Sequence, residues 1–132
     1  MKNRKILALS ISLLMMGSGF FSVRAQEQLP DLSGTWVGNT ETPNGTDTLT
    51  LTLTKKGEVY SGFISDSLGM LVEAPLQGIK YEKGVMTFFF MVATGDGEMR
   101  VNNSLKLDSG KIAGEWTIGT DMAGSFILER KK

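Results

Sequence analysis

From Thr48 to Thr54 the chain alternates without a break: Leu49, Leu51 and Leu53 fall on one parity, and Thr48, Thr50, Thr52 and Thr54 on the other. Residues two apart share a face only in an extended chain, because a helix repeats every 3.6 residues. The segment is therefore a strand with an apolar face for a core and a threonine face for water. Whatever the rest of the chain does, it must supply further strands on both sides of this one and something to cover the leucines.

Short runs of β-branched, aromatic and aliphatic residues, punctuated by Gly, Asn and Asp, supply those strands. The first is read as Gly34 to Thr42, closed by Pro43-Asn44-Gly45, where Pro presets φ and Asn-Gly accepts positive φ. The second is Asp47 to Lys55, and the third is Glu58 to Asp66, with Tyr60, Gly62 and Ile64 on one parity. The fourth, Met70 to Lys80, contains Pro75, which has no N–H for a ladder and so demands a bulge, an edge or a break. The fifth, Val85 to Ala93, is apolar at almost every position. The sixth, Glu98 to Leu107, points Met99, Val101, Leu105 and Leu107 one way with Asn103 among them. The seventh, Lys111 to Ile118, sets Ile112, Gly114, Trp116 and Ile118 against Ala113, Glu115 and Thr117, and the eighth, Gly124 to Arg130, turns Phe126 and Leu128 inward.

No long segment has a helical apolar stripe, so nothing in the chain can cover an open sheet. Eight strands left open would expose two edges and one apolar face. Pairing the first strand with the eighth removes both edges and makes the leucine face an interior. The expected fold is all-β, a single eight-stranded antiparallel up-and-down meander barrel. A two-sheet sandwich is the alternative, disfavoured because sandwiches need longer crossing connections. Gly62 and Gly114, each in mid-strand, are expected at barrel bends.

The start of the chain reads differently. Lys2, Arg4 and Lys5 are followed by an uncharged stretch from Ile6 to Val23 and then by Val23-Arg24-Ala25. That is the three-part grammar of a secretory signal peptide, residues 1–25, cleaved before Gln26. The rival reading is an uncleaved anchor, since the uncharged stretch is near the lower limit for a bilayer span, but Ser10, Ser12, Gly17, Ser18, Gly19 and Ser22 dilute it. The expected product is exported, periplasmic or extracellular, with no membrane span after cleavage. Residues 26–33 form a polar leader broken by Pro30, and residues 34–132 form the barrel domain.

The formal charge of the whole chain is zero, but residues 26–132 carry 10 basic and 14 acidic side chains, a net −4. No nucleic-acid partner is expected, since the basic residues cluster only at Lys55-Lys56 and in the terminal Arg130-Lys131-Lys132. The chain has no histidine and no cysteine. Ser-His-Asp triads, cysteine nucleophiles, the usual zinc sites and disulfides are thereby removed, so stability must come from packing and closure. Asp96 and Glu98 flank Gly97 at a hairpin tip, but two carboxylates are too few for a calcium site. No catalytic residue, metal site or cofactor is assigned.

Gly34-Thr35-Trp36 at the first strand and Arg130 at the end of the last resemble the calycins: lipocalin, fatty-acid-binding and avidin-like barrels. The run Leu32-Ser-Gly-Thr-Trp-Val-Gly, followed by an alternating second strand and a terminal arginine, is similar to small lipocalin-like domains exported by bacteria, many of unknown function. The resemblance covers nearly all of residues 32 to 130. It implies that Gly34, Trp36 and Arg130 close one end of the barrel, with the arginine lying across the indole. The chain departs from typical lipocalins in lacking a helix after the barrel. It departs from fatty-acid-binding proteins in leaving no room for a helical lid at Pro43-Asn44-Gly45, and no avidin biotin ligand can be matched.

The interior is the remaining candidate site. Leu49, Leu51, Leu53, Tyr60, Ile64, Phe88, Phe90, Trp116 and Phe126 are expected to line it, with Asn103 as a polar anchor. An eight-stranded barrel sits at the size where side chains fill the interior or one small ligand fits. The expected function is non-catalytic binding of a small hydrophobic ligand. The alternative is an extracellular protein-interaction module or inhibitor with a solid core. Phe63, Val85, Phe89 and Met91 fall on the outward parity, an apolar zone suited to a homodimer or protein partner unless the fourth strand covers it.

Overall fold

The structure is a computed structural model and describes residues 29–132. The proposed signal peptide, and residues 26–28 of the leader, lie outside the described residues. Nine strands follow: β1 (Gly34–Thr42), β2 (Gly45–Lys56), β3 (Val59–Asp66), β4 (Ala74–Pro75), β5 (Gln77–Glu82), β6 (Val85–Thr94), β7 (Gly97–Asp108), β8 (Lys111–Ile118) and β9 (Met122–Arg130). All belong to one antiparallel sheet, in the order β4-β3-β2-β1-β9-β8-β7-β6-β5. A two-sheet sandwich is therefore excluded, and the sheet curls into a nearly closed barrel.

Seven of the nine strands correspond to runs legible in the sequence. The difference lies at the fourth, expected as one strand from Met70 to Lys80. Residues 70–73 are not strand, and the remainder divides at Leu76 into β4 and β5. Pro75 explains the division. It pairs with Phe63 but offers no N–H, so the ladder to β3 ends with Leu76 N donating to Gly62 O at 3.0 Å. The chain then moves over to β6, pairing Gln77 with Phe89 and shifting register before Lys80. The two edges of the sheet are thus successive pieces of one chain segment, and the seam between them is bridged covalently.

The other closing contact joins the first and last strands. β1 and β9 pair from Thr40 opposite Phe126 to Trp36 opposite Arg130. Gly38 stands in this ladder opposite Leu128, and a Cβ there would fall on the carbonyl oxygen of Ile127. The two backbones approach this closely only because the residue is glycine. Gly62 likewise faces the carbonyl of Thr52. Gly114 also provides a seat: a Cβ there would fall on the ring of its cross-strand neighbour Phe126, so its missing side chain makes room for an aromatic.

Alternation places the core as the periods require. Leu49, Leu51 and Leu53, Met86, Phe88 and Phe90, Val101 and Leu105, Ile112, and Phe126 and Leu128 are all buried inward. Leu32 is buried as well, so the end of the leader packs against the barrel core.

Candidate functional site

The two ends of the barrel are built differently. At one end Trp36 is wholly buried, and its Nε1 donates to Leu32 O at 3.0 Å. The guanidinium carbon of Arg130 lies 4.2 Å from the centre of the indole, in range for a cation–π contact. Arg130 Nη1 donates to Ser33 O at 2.6 Å and Nη2 to Asp31 O at 3.4 Å. Gly34, at φ +126°, lets the guanidinium pass, since a Cβ would sit 2.8 Å from Nη1. Tyr60 Oη accepts from Leu32 N at 2.9 Å, and Tyr81 Oη donates to Pro30 O at 3.0 Å. The two phenol rings meet edge to face, 5.7 Å between centres. Residues 30–34 are thus a plug held across this end by polar contacts from β1, β3, β5 and β9. Tyr60, expected on a ligand wall, is part of this plug.

The opposite end, where the β1–β2 turn, the β3–β4 connection, the β6–β7 hairpin and the β8–β9 turn gather, holds an open-mouthed cavity of about 220 Å³. Its wall includes six of the residues expected to line the interior: Leu49, Ile64, Phe90, Asn103, Trp116 and Phe126. Leu51, Leu53 and Phe88 are buried deeper, in the filled half between the cavity and the plug. The question of a filled or hollow interior therefore has a divided answer. Sequence reasoning missed the wall residues contributed near turns, among them Pro43, Met70, Leu71 and Met122. Their segments carry no period, so only the closing of the chain brings them to the mouth. A wider depression of about 840 Å³ over the outer face of β8 and β9 is a solvated surface edged by Lys106, Glu115 and Glu129.

Polar groups on the cavity wall are few and organised. The buried polar side chains of the described residues are Thr40, Asp47 and Asn103, and all three line this cavity. Thr40 Oγ1 donates to Ser125 O at 2.9 Å and accepts from Trp116 Nε1 at 3.1 Å. That bond, and the lack of a side chain at Gly124, fix the indole: a Cβ at Gly124 would lie 2.5 Å from ring carbons of Trp116. Asn103 Nδ2 donates to Val101 O at 3.2 Å.

Asp47 is 2% exposed. Its Oδ1 accepts from Ser67 N at 3.0 Å, Ser67 Oγ at 3.2 Å and Leu68 N at 3.3 Å, while Asp66 Oδ1 accepts from Leu71 N at 2.8 Å. The two carboxyl groups thus tether one connection, Ser67 to Leu71, whose Met70 and Leu71 form part of the cavity wall. Burial, then the neighbouring Asp66 carboxyl, raise the pKa of Asp47 above the ordinary carboxylate value, against the lowering effect of the Ser67 and Leu68 bonds. Asp66 Oδ2 is buried without a hydrogen-bond partner.

A pH prediction follows by linkage. A carboxyl whose pKa is raised on folding binds its proton more tightly in the folded state, so its contribution favours folding in acid. That contribution is lost as pH rises from the unfolded value near 3.8 through the folded one. Asp66→Asn keeps an acceptor for Leu71 N and places an N–H₂ where Oδ2 has no partner. The variant is expected to be more stable than the parent at pH 7 and to lose that advantage at pH 4. Chemical denaturation at both pH values measures the difference, and an advantage equal at both would contradict the coupling.

The outward zone is less bare than its sequence suggests. Val85, Phe89 and Met91 are half-buried, and Phe63 is 36% exposed beside Pro75. The Arg100 guanidinium lies 3.7 Å from the centre of the Phe89 ring and covers it. Asp96 and Glu98 are exposed at the β6–β7 hairpin. More fully exposed apolar side chains, Leu68, Met70 and Val72, lie on the β3–β4 connection at the cavity end, and Met122 begins β9 there. Comparisons of this chain with protein-family models, with curated proteins and with solved structures found no match, so the barrel and its cavity stand as the ground for a functional reading.

Proposed function

We propose that the protein is an exported, non-catalytic binding barrel of lipocalin-like kind that holds one small apolar molecule at its open end. The observation that carries this reading is the cavity, walled largely by apolar side chains such as Leu49, Ile64, Phe90, Val101 and Phe126. Size narrows the ligand. An engineered apolar cavity of about 150 Å³ takes up benzene, so about 220 Å³ holds one ring with a short substituent. A long acyl chain would have to project through the mouth.

Trp116 provides the test, because its indole lies on the cavity wall while Trp36 is sealed in the plug. Single-ring aromatic probes are expected to change the fluorescence of Trp116, saturably and one per chain. Val101→Phe, which fills the cavity from its wall, is expected to weaken that binding by at least about tenfold with little loss of stability. Saturation unaffected by the filled cavity would place binding elsewhere. The competing reading, a protein-interaction module with no ligand, requires that no probe bind at all.

A further inference from the structure

The placement of polar groups narrows the ligand class further, on the assumption that the cavity binds a ligand. Buried polar side chains cost stability unless paired, so their unused hydrogen-bonding groups are the ones open to a ligand. Thr40, Asp47 and Asn103 all line the cavity, Thr40 and Asp47 as cross-strand neighbours on β1 and β2, and Asn103 on β7, across the barrel sheet from them. Thr40 spends its single donor on Ser125 O, and Asn103 spends one amide N–H on Val101 O. The Asn103 carbonyl oxygen accepts no bond among the described residues, though the residue is only 5% exposed. Asp47 binds its loop through Oδ1 alone, leaving Oδ2 to other partners. What the wall still offers is therefore mostly acceptors.

Charge points the same way. Asp47 is the one ionisable side chain on the wall, and the Asp66 carboxyl beside it adds negative potential and an oxygen without a partner. Phe90, Trp116 and Phe126 present ring faces and edges in the same cavity, surroundings that suit an aromatic body and tolerate a cation.

We infer that the cavity takes a small amphipathic amine, its apolar body among Phe90, Trp116 and Phe126 and its ammonium donating to Asp47. The ammonium brings donors to a wall rich in acceptors and a positive charge to a carboxyl that like charge and burial otherwise disfavour. A carboxylate ligand of the same size would meet repulsion from Asp47 and the Asp66 carboxyl beside it.

Matched probes test this on the full chain at pH 7, read by Trp116 fluorescence and by calorimetry: 2-phenylethylamine, 2-phenylethanol, ethylbenzene and 3-phenylpropionate. The amine is expected to bind at least about tenfold more tightly than ethylbenzene and the alcohol, as a charge-assisted hydrogen bond allows, with the carboxylate weakest. In Asp47→Asn, which keeps an acceptor for Ser67 and Leu68, the ratio of amine to ethylbenzene affinity is expected to fall to near one. Equal binding of amine, alcohol and ethylbenzene, or a preference that survives Asp47→Asn, overturns the amine assignment while the apolar-cavity reading stands. Failure of all four probes overturns both. The comparison among probes on the unaltered protein needs no variant, so it decides the question even if Asp47→Asn misfolds.

Discussion

Trp36→Ala is expected to lower unfolding stability by about 3–5 kcal/mol, the usual result of emptying a large aromatic site. The ring is fully buried, its N–H satisfies Leu32 O, and its face carries Arg130, so one substitution removes three contributions of different kinds. The loss is large against a whole stability of about 5–15 kcal/mol. Affinity for a cavity probe should change by no more than about twofold, because the plug and the cavity lie at opposite ends and distant sites perturb each other weakly. Urea unfolding and the Trp116 titration measure the two quantities on one sample. Equal losses in both would mean that the plug and the cavity are mechanically one unit. Arg130→Met is expected to reproduce part of the stability loss, since it keeps the aliphatic packing and removes the cation–π contact and the bonds to Ser33 and Asp31.

Gly38→Ala is the second substitution with a large expected effect, out of proportion to one methyl group. The obstacle a Cβ would meet is the backbone carbonyl of Ile127, which no rotamer change can move aside. β1 and β9 would have to separate along the ladder that joins the first and last strands. Overpacking of this kind costs about 3 kcal/mol or more when the neighbour cannot yield. Thermal unfolding should show the loss, and amide exchange should quicken along β1 and β9 before it does elsewhere. Gly95→Ala is the control. That position lies in the β6–β7 hairpin, without positive φ and with nothing within 4 Å of a Cβ, so its effect should stay within about 0.5 kcal/mol. Similar losses at both positions would count against a closure-specific role for Gly38.

Much of this architecture is legible in the chain because period-two alternation is a local property. The burial of Leu49, Leu51 and Leu53, of Phe88 and Phe90, and of Phe126 and Leu128 follows from parity alone once each strand is recognised. Turn chemistry locates the hairpins for the same reason: Pro43-Asn44-Gly45 and Ser109-Gly110 fix the backbone within a few residues. Parity cannot say how far along the barrel axis a residue lies. That is why Tyr60 and Trp116, both inward, belong to opposite ends, one in the plug and one on the cavity wall. Depth depends on the stagger of all strands together.

The outward zone shows the complementary limit. Phe89 is outward by parity, yet Arg100 covers it from the neighbouring strand, a pairing set by the register of β6 with β7. Gly114 shows the same limit inside: its place in a strand is legible, but the ring it seats belongs to a residue 12 positions later, brought opposite by pairing. Leu32 is legible as apolar, whereas its burial requires Trp36, Tyr60 and Arg130 to converge on the segment around it.

The sequence by itself determined an all-β chain, the inward side of each strand, the break that Pro75 forces, and the absence of histidine and cysteine chemistry. Each follows from local geometry or from composition. Tertiary structure alone decided that the fourth run becomes two strands at the two edges of one sheet, and that one end is plugged while the other is hollow. It also decided that Asp47, Thr40 and Asn103 line one cavity. Those outcomes depend on the register of every strand pair at once, and register is a relation between distant residues that no single stretch of chain contains.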